Sequence, residues 1–249
     1  MKSTIGMLDL REGATIYIDK PLGWSSFSLV NKFRYEACRH LDIKKLKVGH
    51  AGTLDPLATG VMILCTGKHT KQIESLQQGV KEYIADIRLG QTTPTLDLES
   101  EPNEFFPTEH ITEEMVRSAL GQFIGTIEQV PPVFSAVKVD GKRAYKQARK
   151  GRDIEMPTKL ITIHELELLS CSLPDLRIRV VCGKGTYIRS LARDIGVALG
   201  SGGHLTALQR TQVGSARLED CLQIEDIKPF LEAHVEPLGQ EAEQAKTNQ

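Results

Sequence analysis

At 249 residues, 40% hydrophobic and 25% charged, the chain can bury a sizeable core and has a globular composition, which excludes a mini-protein and wholesale disorder. Its longest unbroken apolar run, Val61 to Cys65, is far short of the roughly 20 residues of a membrane helix. Met1 to Leu10 carry no apolar export core, and five dispersed cysteines without a Cys-x-x-Cys spacing fit a reduced compartment, so the expectation is a cytoplasmic protein with no membrane contact.

Ala14 to Asp19 alternates as a strand and runs into the turn Lys20-Pro21-Leu22-Gly23. Ser25 or Ser26 caps a helix whose apolar stripe is Phe27, Val30, Phe33, Ala37 and Leu41. Leu46 to His50 reads as a short strand and Gly60 to Thr66 as a buried one, which leaves Ala51 to Thr59 as a loop between strands. Glu82 to Leu89 alternates with Tyr83, Ala85, Ile87 and Leu89 facing inward. The polar stretch Gln91 to Glu109 reads as a long surface loop, and Thr112 caps a helix to Leu120. Strand patterns recur at Phe123 to Ile127, Ser135 to Val139, Leu160 to Leu168 and Leu176 to Cys182. A helix with the stripe Ile188, Leu191, Ile195 and Leu199 then ends at Gly200. Helices and strands mix without βαβ alternation, so the fold class is α+β with a mixed sheet.

The net charge of -1 hides an asymmetry. Glu219 to Gln249 holds eight acidic and two basic residues, a balance of -6, which leaves +5 for residues 1 to 218. Lys138, Lys142, Arg143, Lys146, Arg149, Lys150 and Arg152 face Asp140 alone in a short stretch that also holds Tyr145. Such a segment neutralises phosphates and stacks on bases, or else is a solvated helix face.

Familiar cofactor motifs fail. Gly67-Lys68 lacks the upstream glycine of a phosphate loop, where Met62 stands; Gly183-x-Gly185 lacks the third glycine of a dinucleotide site; His164-Glu165 has no second histidine. No metal or cofactor is expected. What remains is Gly49-His50-Ala51-Gly52-Thr53-Leu54-Asp55-Pro56-Leu57-Ala58-Thr59-Gly60, a loop that sets one carboxylate between apolar strands. A carboxylate there is costly unless paired, and Arg189, at the start of a helix, is a candidate partner. Held and ionised in this way, Asp55 is suited to nucleophilic chemistry.

This loop resembles the catalytic loop of the TruB family of pseudouridine synthases. The resemblance continues in order through Lys20-Pro21-x-Gly23, Lys81-x-Tyr83 with Leu89-Gly90, Gln129-x-Pro131-Pro132-x-Phe134-Ser135-Ala136-x-Lys138, Lys184-Gly185-Thr186-Tyr187-Ile188-Arg189 and Leu208-x-Arg210-Thr211-x-Val213-Gly214. It implies the pseudouridine-synthase α+β fold, a mixed, mostly antiparallel sheet with flanking helices and a catalytic cleft. It implies one catalytic domain over residues 1–238, an RNA-gripping thumb insertion over about 131–158, and a polar tail at 239–249. The stretch after Gly214 is too short for the further RNA-binding PUA domain that many relatives carry.

By the same resemblance the substrate is the T-loop uridine at position 55 of tRNA, with no obligate protein partner. Asp55 is then the reacting carboxylate, Tyr83 stacks on the base and is the candidate general base at C5, and Arg189 pairs with Asp55. Tyr187 and Leu208 wall the pocket, His50 meets displaced stem-loop nucleotides, and Lys20, Gly52 and Thr53 join the substrate contacts. The thumb contacts are Lys138, Lys142, Arg143, Tyr145, Lys146 and Arg149. Isomerisation exchanges an N-glycosidic for a C-glycosidic bond without redox change, and the base must be flipped out to be reached. Attack at C1′, attack at C6 and elimination to a glycal all remain open.

The chain departs from the family pattern at Pro94, which replaces an Asp, at Phe27-Ser28, which replace a His-Asp pair, and at Gln209, which replaces a frequent Arg. A non-catalytic tRNA-folding factor predicts a degraded loop, yet Asp55, Tyr83 and Arg189 are all present. A two-carboxylate glycoside hydrolase needs a second acid that no motif supplies.

Overall fold

The computed structural model describes residues 6–135, 137–139, 141–144 and 154–237. The chain forms two compact units, Met1–Gly79 with Arg210–Gln249, and Val80–Gln209.

The first unit opens with β1 (Thr15–Lys20), α1 (Ser26–His40), β2 (Val48–His50), β3 (Ala58–Thr66) and the single turn α2 (Ile73–Leu76). β1 buries Ile16, Ile18 and Lys20 on its inner face. It pairs antiparallel with β3, Lys20 opposite Gly60, and β2 pairs antiparallel with the same strand, His50 opposite Leu64. β3 is buried along nearly its whole length, which is why its sequence is continuously apolar. The hydroxyl of Ser25 caps α1 by accepting the Ser28 N–H at 3.0 Å. The helix buries Leu29, Val30, Phe33 and Ala37. Phe27, expected in that stripe, is 68% exposed, because it stands a helical step of roughly 100° round from buried Ser26.

The second unit runs through β4 (Lys81–Leu89), β5 (Gln91–Thr92), β6 (Glu104–Phe105), α3 (Glu113–Gly121), β7 (Gly125–Gln129), β8 (Lys138–Val139) and β9 (Lys142–Arg143). β10 (Lys159–Ser172), β11 (Asp175–Cys182), α4 (Ile188–Ala198) and β12 (Gly203–Val213) follow. Strand order in this unit is β12-β4-β11-β10-β7, and β4–β11, β11–β10 and β10–β7 are antiparallel. β4 buries Tyr83, Ala85, Ile87 and Leu89 as its alternation requires. The Thr112 hydroxyl accepts the Met115 N–H at 3.3 Å to cap α3.

The stretch Gln91 to Glu109 corrects the expectation of a surface loop. It contains β5 and β6, and Thr93, Thr95 and Asp97 are buried. Polar residues that satisfy one another inside a fold look like loop residues in a sequence.

From Arg210 onward β12 belongs to the first unit, followed by β13 (Ala216–Arg217) and α5 (Ile227–His234). The five cysteines are all free. Among the described residues no helix is long and apolar enough to cross a membrane.

Candidate active site

In the first unit the loop carrying Asp55 is fixed from several directions. Arg210, almost wholly buried, donates from Nε to the Val61 carbonyl at 2.8 Å, from Nη1 to the Thr53 carbonyl at 3.4 Å and from Nη2 to the Gly52 carbonyl at 3.3 Å. The hydroxyl of Ser26, at the start of α1, accepts the Leu54 N–H at 2.8 Å and donates to the Leu54 carbonyl at 2.9 Å. The Gly23 N–H reaches the Pro56 carbonyl at 2.9 Å, and the Ala58 N–H closes a turn on the Asp55 carbonyl at 3.1 Å. Residues 52 to 56 thus have their backbone committed to fixed partners, and the half-buried Asp55 side chain stands on a rigid base.

Gly60 makes this arrangement possible. Its φ is +103°, and a Cβ there would come within 2.1 Å of the Arg210 carbonyl oxygen. Only glycine permits that approach.

Lys20 sits at the end of β1 with no exposed surface. Its Nζ donates to the carbonyls of Pro21 at 3.0 Å, Trp24 at 2.6 Å and Pro56 at 3.4 Å. Burial pushes its ammonium down to about 8, against the pull of Asp55; Arg210 adds to the depression and Asp19 opposes it. Burial likewise pushes the His50 imidazole down, opposed by the Gly52 backbone and aided by Arg210. Lys20, His50, Gly52, Thr53 and Asp55 all lie in the first unit. The sequence reading gave Arg210 no role, although it lies inside a quoted motif, and read Ser26 only as a possible helix cap, whereas Ser25 is the cap and Ser26 holds Leu54.

The second unit holds Tyr83, Tyr187, Arg189 and Leu208. Tyr83 is buried near the start of β4, opposite Val180 of β11. Arg189 is buried in the first turn of α4. Its Nη1 donates to the Thr95 carbonyl and its Nη2 to the Phe134 carbonyl, both at 3.0 Å, and the Asp97 carboxylate lies 3.5 Å from Nη1. Asp97 was not anticipated; a carboxylate three residues after Pro94 occupies a segment read as loop.

The entry to α4 is set by Gln129. Its Oε1 accepts the Tyr187 N–H at 2.8 Å and its Nε2 donates to the Tyr187 carbonyl at 3.2 Å. The Ser190 hydroxyl and Arg193 Nη2 both donate to the Val130 carbonyl, at 2.8 and 3.1 Å. The block from Gln129 to Phe134 is therefore the seat of the helix that carries Arg189. Tyr187 packs on Val137, Ala144 and Met156, and Leu208 is half-buried on β12.

Of the basic stretch, Lys138 lies on β8 and Lys142 and Arg143 on β9, a short antiparallel pair with Lys138 opposite Arg143. Tyr145, Lys146 and Arg149 lie outside the described residues.

A family model described as TruB family pseudouridylate synthase, N-terminal domain, matches residues 39–188. A second, described as tRNA pseudouridylate synthase B C-terminal domain, matches residues 189–241. The chain is 63% identical over 225 residues to the tRNA pseudouridine synthase B of Phocaeicola vulgatus, covering 90% of this chain and 96% of that protein. It is 58% identical over 234 residues to that of Parabacteroides distasonis, covering 94% of this chain and all of the relative. Among solved structures it is similar to a Cbf5-Nop10-Gar1 complex, with TM-score 0.65 and 28% identity over 90% of this chain. It is also similar to the archaeal box H/ACA sRNP Nop10-Cbf5 complex, with TM-score 0.62 and 26% identity over the same share. The chain spans 56% of the length of each of these structural neighbours.

Proposed function

Since the chain belongs to the TruB family of pseudouridylate synthases, we propose that it isomerises the T-loop uridine at position 55 of tRNA to pseudouridine. The observation that carries this reading is the immobilised Asp55 loop. A carboxylate on a backbone held by Arg210, Ser26 and Gly23 meets a flipped nucleotide without reorganising, which is what a positioned nucleophile requires. Near-full-length identity to proteins called tRNA pseudouridine synthase B supports tRNA as the substrate.

The reaction breaks the N1–C1′ bond, turns the uracil over, forms a C5–C1′ bond, and moves the C5 proton off the ring while N1 gains one. Asp55 acts at the glycosidic centre. Lys20, a buried ammonium, holds that loop through the Pro56 carbonyl. Tyr83 is the stacking partner and takes the C5 proton. Arg189, fixed by Thr95, Phe134 and Asp97, is the counter-charge for the Asp55 carboxylate. Tyr187 and Leu208 line the base pocket, His50 with Gly52 and Thr53 contacts the opened loop, and the basic stretch grips phosphates.

The test is incubation with an unmodified tRNA transcript, followed by nucleoside mass analysis and carbodiimide mapping. Pseudouridine confined to the T loop is the expected product. Release of free uracil, or pseudouridine elsewhere in the transcript, would contradict the assignment.

A further inference from the structure

The turn that holds the Arg189 guanidinium is strained. Leu96 has φ +62°, a left-handed conformation that a leucine keeps only where its surroundings over-determine it. The turn is closed by the Leu96 N–H on the Thr93 carbonyl at 3.0 Å, the Thr93 hydroxyl on the Asp97 carbonyl at 2.7 Å, and the Glu99 N–H on the Asp97 carboxylate at 3.0 Å. Its shape brings the Thr95 carbonyl and the Asp97 carboxylate onto one guanidinium nitrogen.

Two consecutive residues of β12 hold this turn from outside. The Leu205 N–H donates to the Leu96 carbonyl at 3.0 Å. His204, with no exposed surface, places Nδ1 3.3 Å from the Gln91 carbonyl oxygen. A carbonyl only accepts, so Nδ1 carries the proton. Nε2 is enclosed and meets no hydrogen-bond partner among the described residues, so a second proton there would be a buried, unpaired donor. Burial pushes the imidazole below its ordinary value; the Gln91 backbone opposes this, Arg88 adds to it, and Asp97 and Asp175 oppose it.

We propose that His204 is a positioning residue for the isomerisation: as a neutral ring it staples the Gln91 end of the strained turn and, through Thr95 and Asp97, sets the Arg189 guanidinium. The inference rests on the reading of Arg189 as the counter-charge of Asp55. A protonated ring would bury an unpaired Nε2–H and compete with Arg189 for Asp97.

The experiment compares His204→Leu, His204→Asn, Arg189→Gln and the double variant His204→Leu/Arg189→Gln on a tRNA transcript, by single-turnover release of tritium from C5-labelled uridine. Asparagine keeps an N–H donor near the Nδ1 position and cannot titrate; leucine keeps only bulk. In His204→Leu, kcat should fall roughly tenfold or more with KM within about twofold, since small misplacements of a catalytic group are costly. His204→Asn should recover to within about threefold and lack the acid decline of kcat expected of the parent. Adding His204→Leu to Arg189→Gln should cost less than about threefold further. Equal losses in the leucine and asparagine variants, or full additivity with Arg189→Gln, would overturn the proposal. Full activity in His204→Leu beside an inactive Arg189→Gln would overturn it alone, whereas parental turnover in Arg189→Gln would remove the counter-charge reading and this proposal with it.

Discussion

Tyr83 and Lys20 carry the sharpest consequences for single residues. Tyr83→Phe retains the stacking ring and loses the phenolic oxygen, so the variant should bind RNA and release no tritium from C5-labelled uridine. Parental release would leave Tyr83 a stacking role only. For Lys20 the sign differs between activity and stability. Its ammonium, down at about 8 in the fold against about 10.5 in an unfolded chain, needs all three protons to hold the Pro21, Trp24 and Pro56 carbonyls, and a neutral amine has only two, so the Asp55 loop loses a tether and kcat should decline as pH rises through about 8. Between these two values the unfolded state binds more protons, so this group makes the fold more stable as pH rises across that window. Activity falling while the melting temperature holds or rises is the expected pattern, and Lys20→Met should abolish the alkaline decline. The same decline in that variant would locate the titration elsewhere. Asp55 stood out as a candidate in the sequence because a carboxylate between apolar strands needs a reason. Asp97 was not, because it hides among the polar residues from Gln91 to Glu109 and shows its function only when Arg189 comes within 3.5 Å.

At the scale of the element, α1 does two jobs: its apolar side fills the core, and its first residue, Ser26, carries the peptide group of Leu54 on one hydroxyl. Ser26→Ala leaves that N–H and carbonyl unpaired in a buried place, a cost of about 2 kcal/mol or roughly 4–8 °C in melting temperature for a chain of this size. Turnover should fall with it, and an unchanged melting curve with unchanged turnover would show that the loop does not depend on the helix. The basic stretch is tested differently. Neutralising Lys142, Arg143, Lys146 and Arg149 together should flatten the log-log salt dependence of tRNA binding by roughly three to four, if each touches a phosphate; an unchanged slope would mark a solvated face. Helices and strands with a clean period and a cap, such as α3 behind Thr112 and β4 with its four inward residues, could be read directly. Phe27 could not: hydrophobicity placed it in the stripe, and only the helix's orientation shows it outside.

Over the whole molecule, the first unit is assembled from both ends of the described chain, with the second inserted between Gly79 and Arg210. Arg210 therefore reaches Thr53 across 157 positions of sequence, a contact that no local pattern announces, although the quoted Leu208-x-Arg210-Thr211 block contained the residue. The α+β class and the family were legible because their signals are collinear blocks; the partition into units was not, because β12 is one uninterrupted strand that changes unit between Gln209 and Arg210. The central claim of the proposed chemistry is that the Asp55 carboxylate, and not the basic surface, performs the reaction. Pseudouridine formation in a saturated, single-turnover reaction of Asp55→Asn with a tRNA transcript tests this most directly. The account predicts no product over many parental half-times, with tRNA affinity within about threefold of the parent, and turnover within about tenfold of the parent would contradict it.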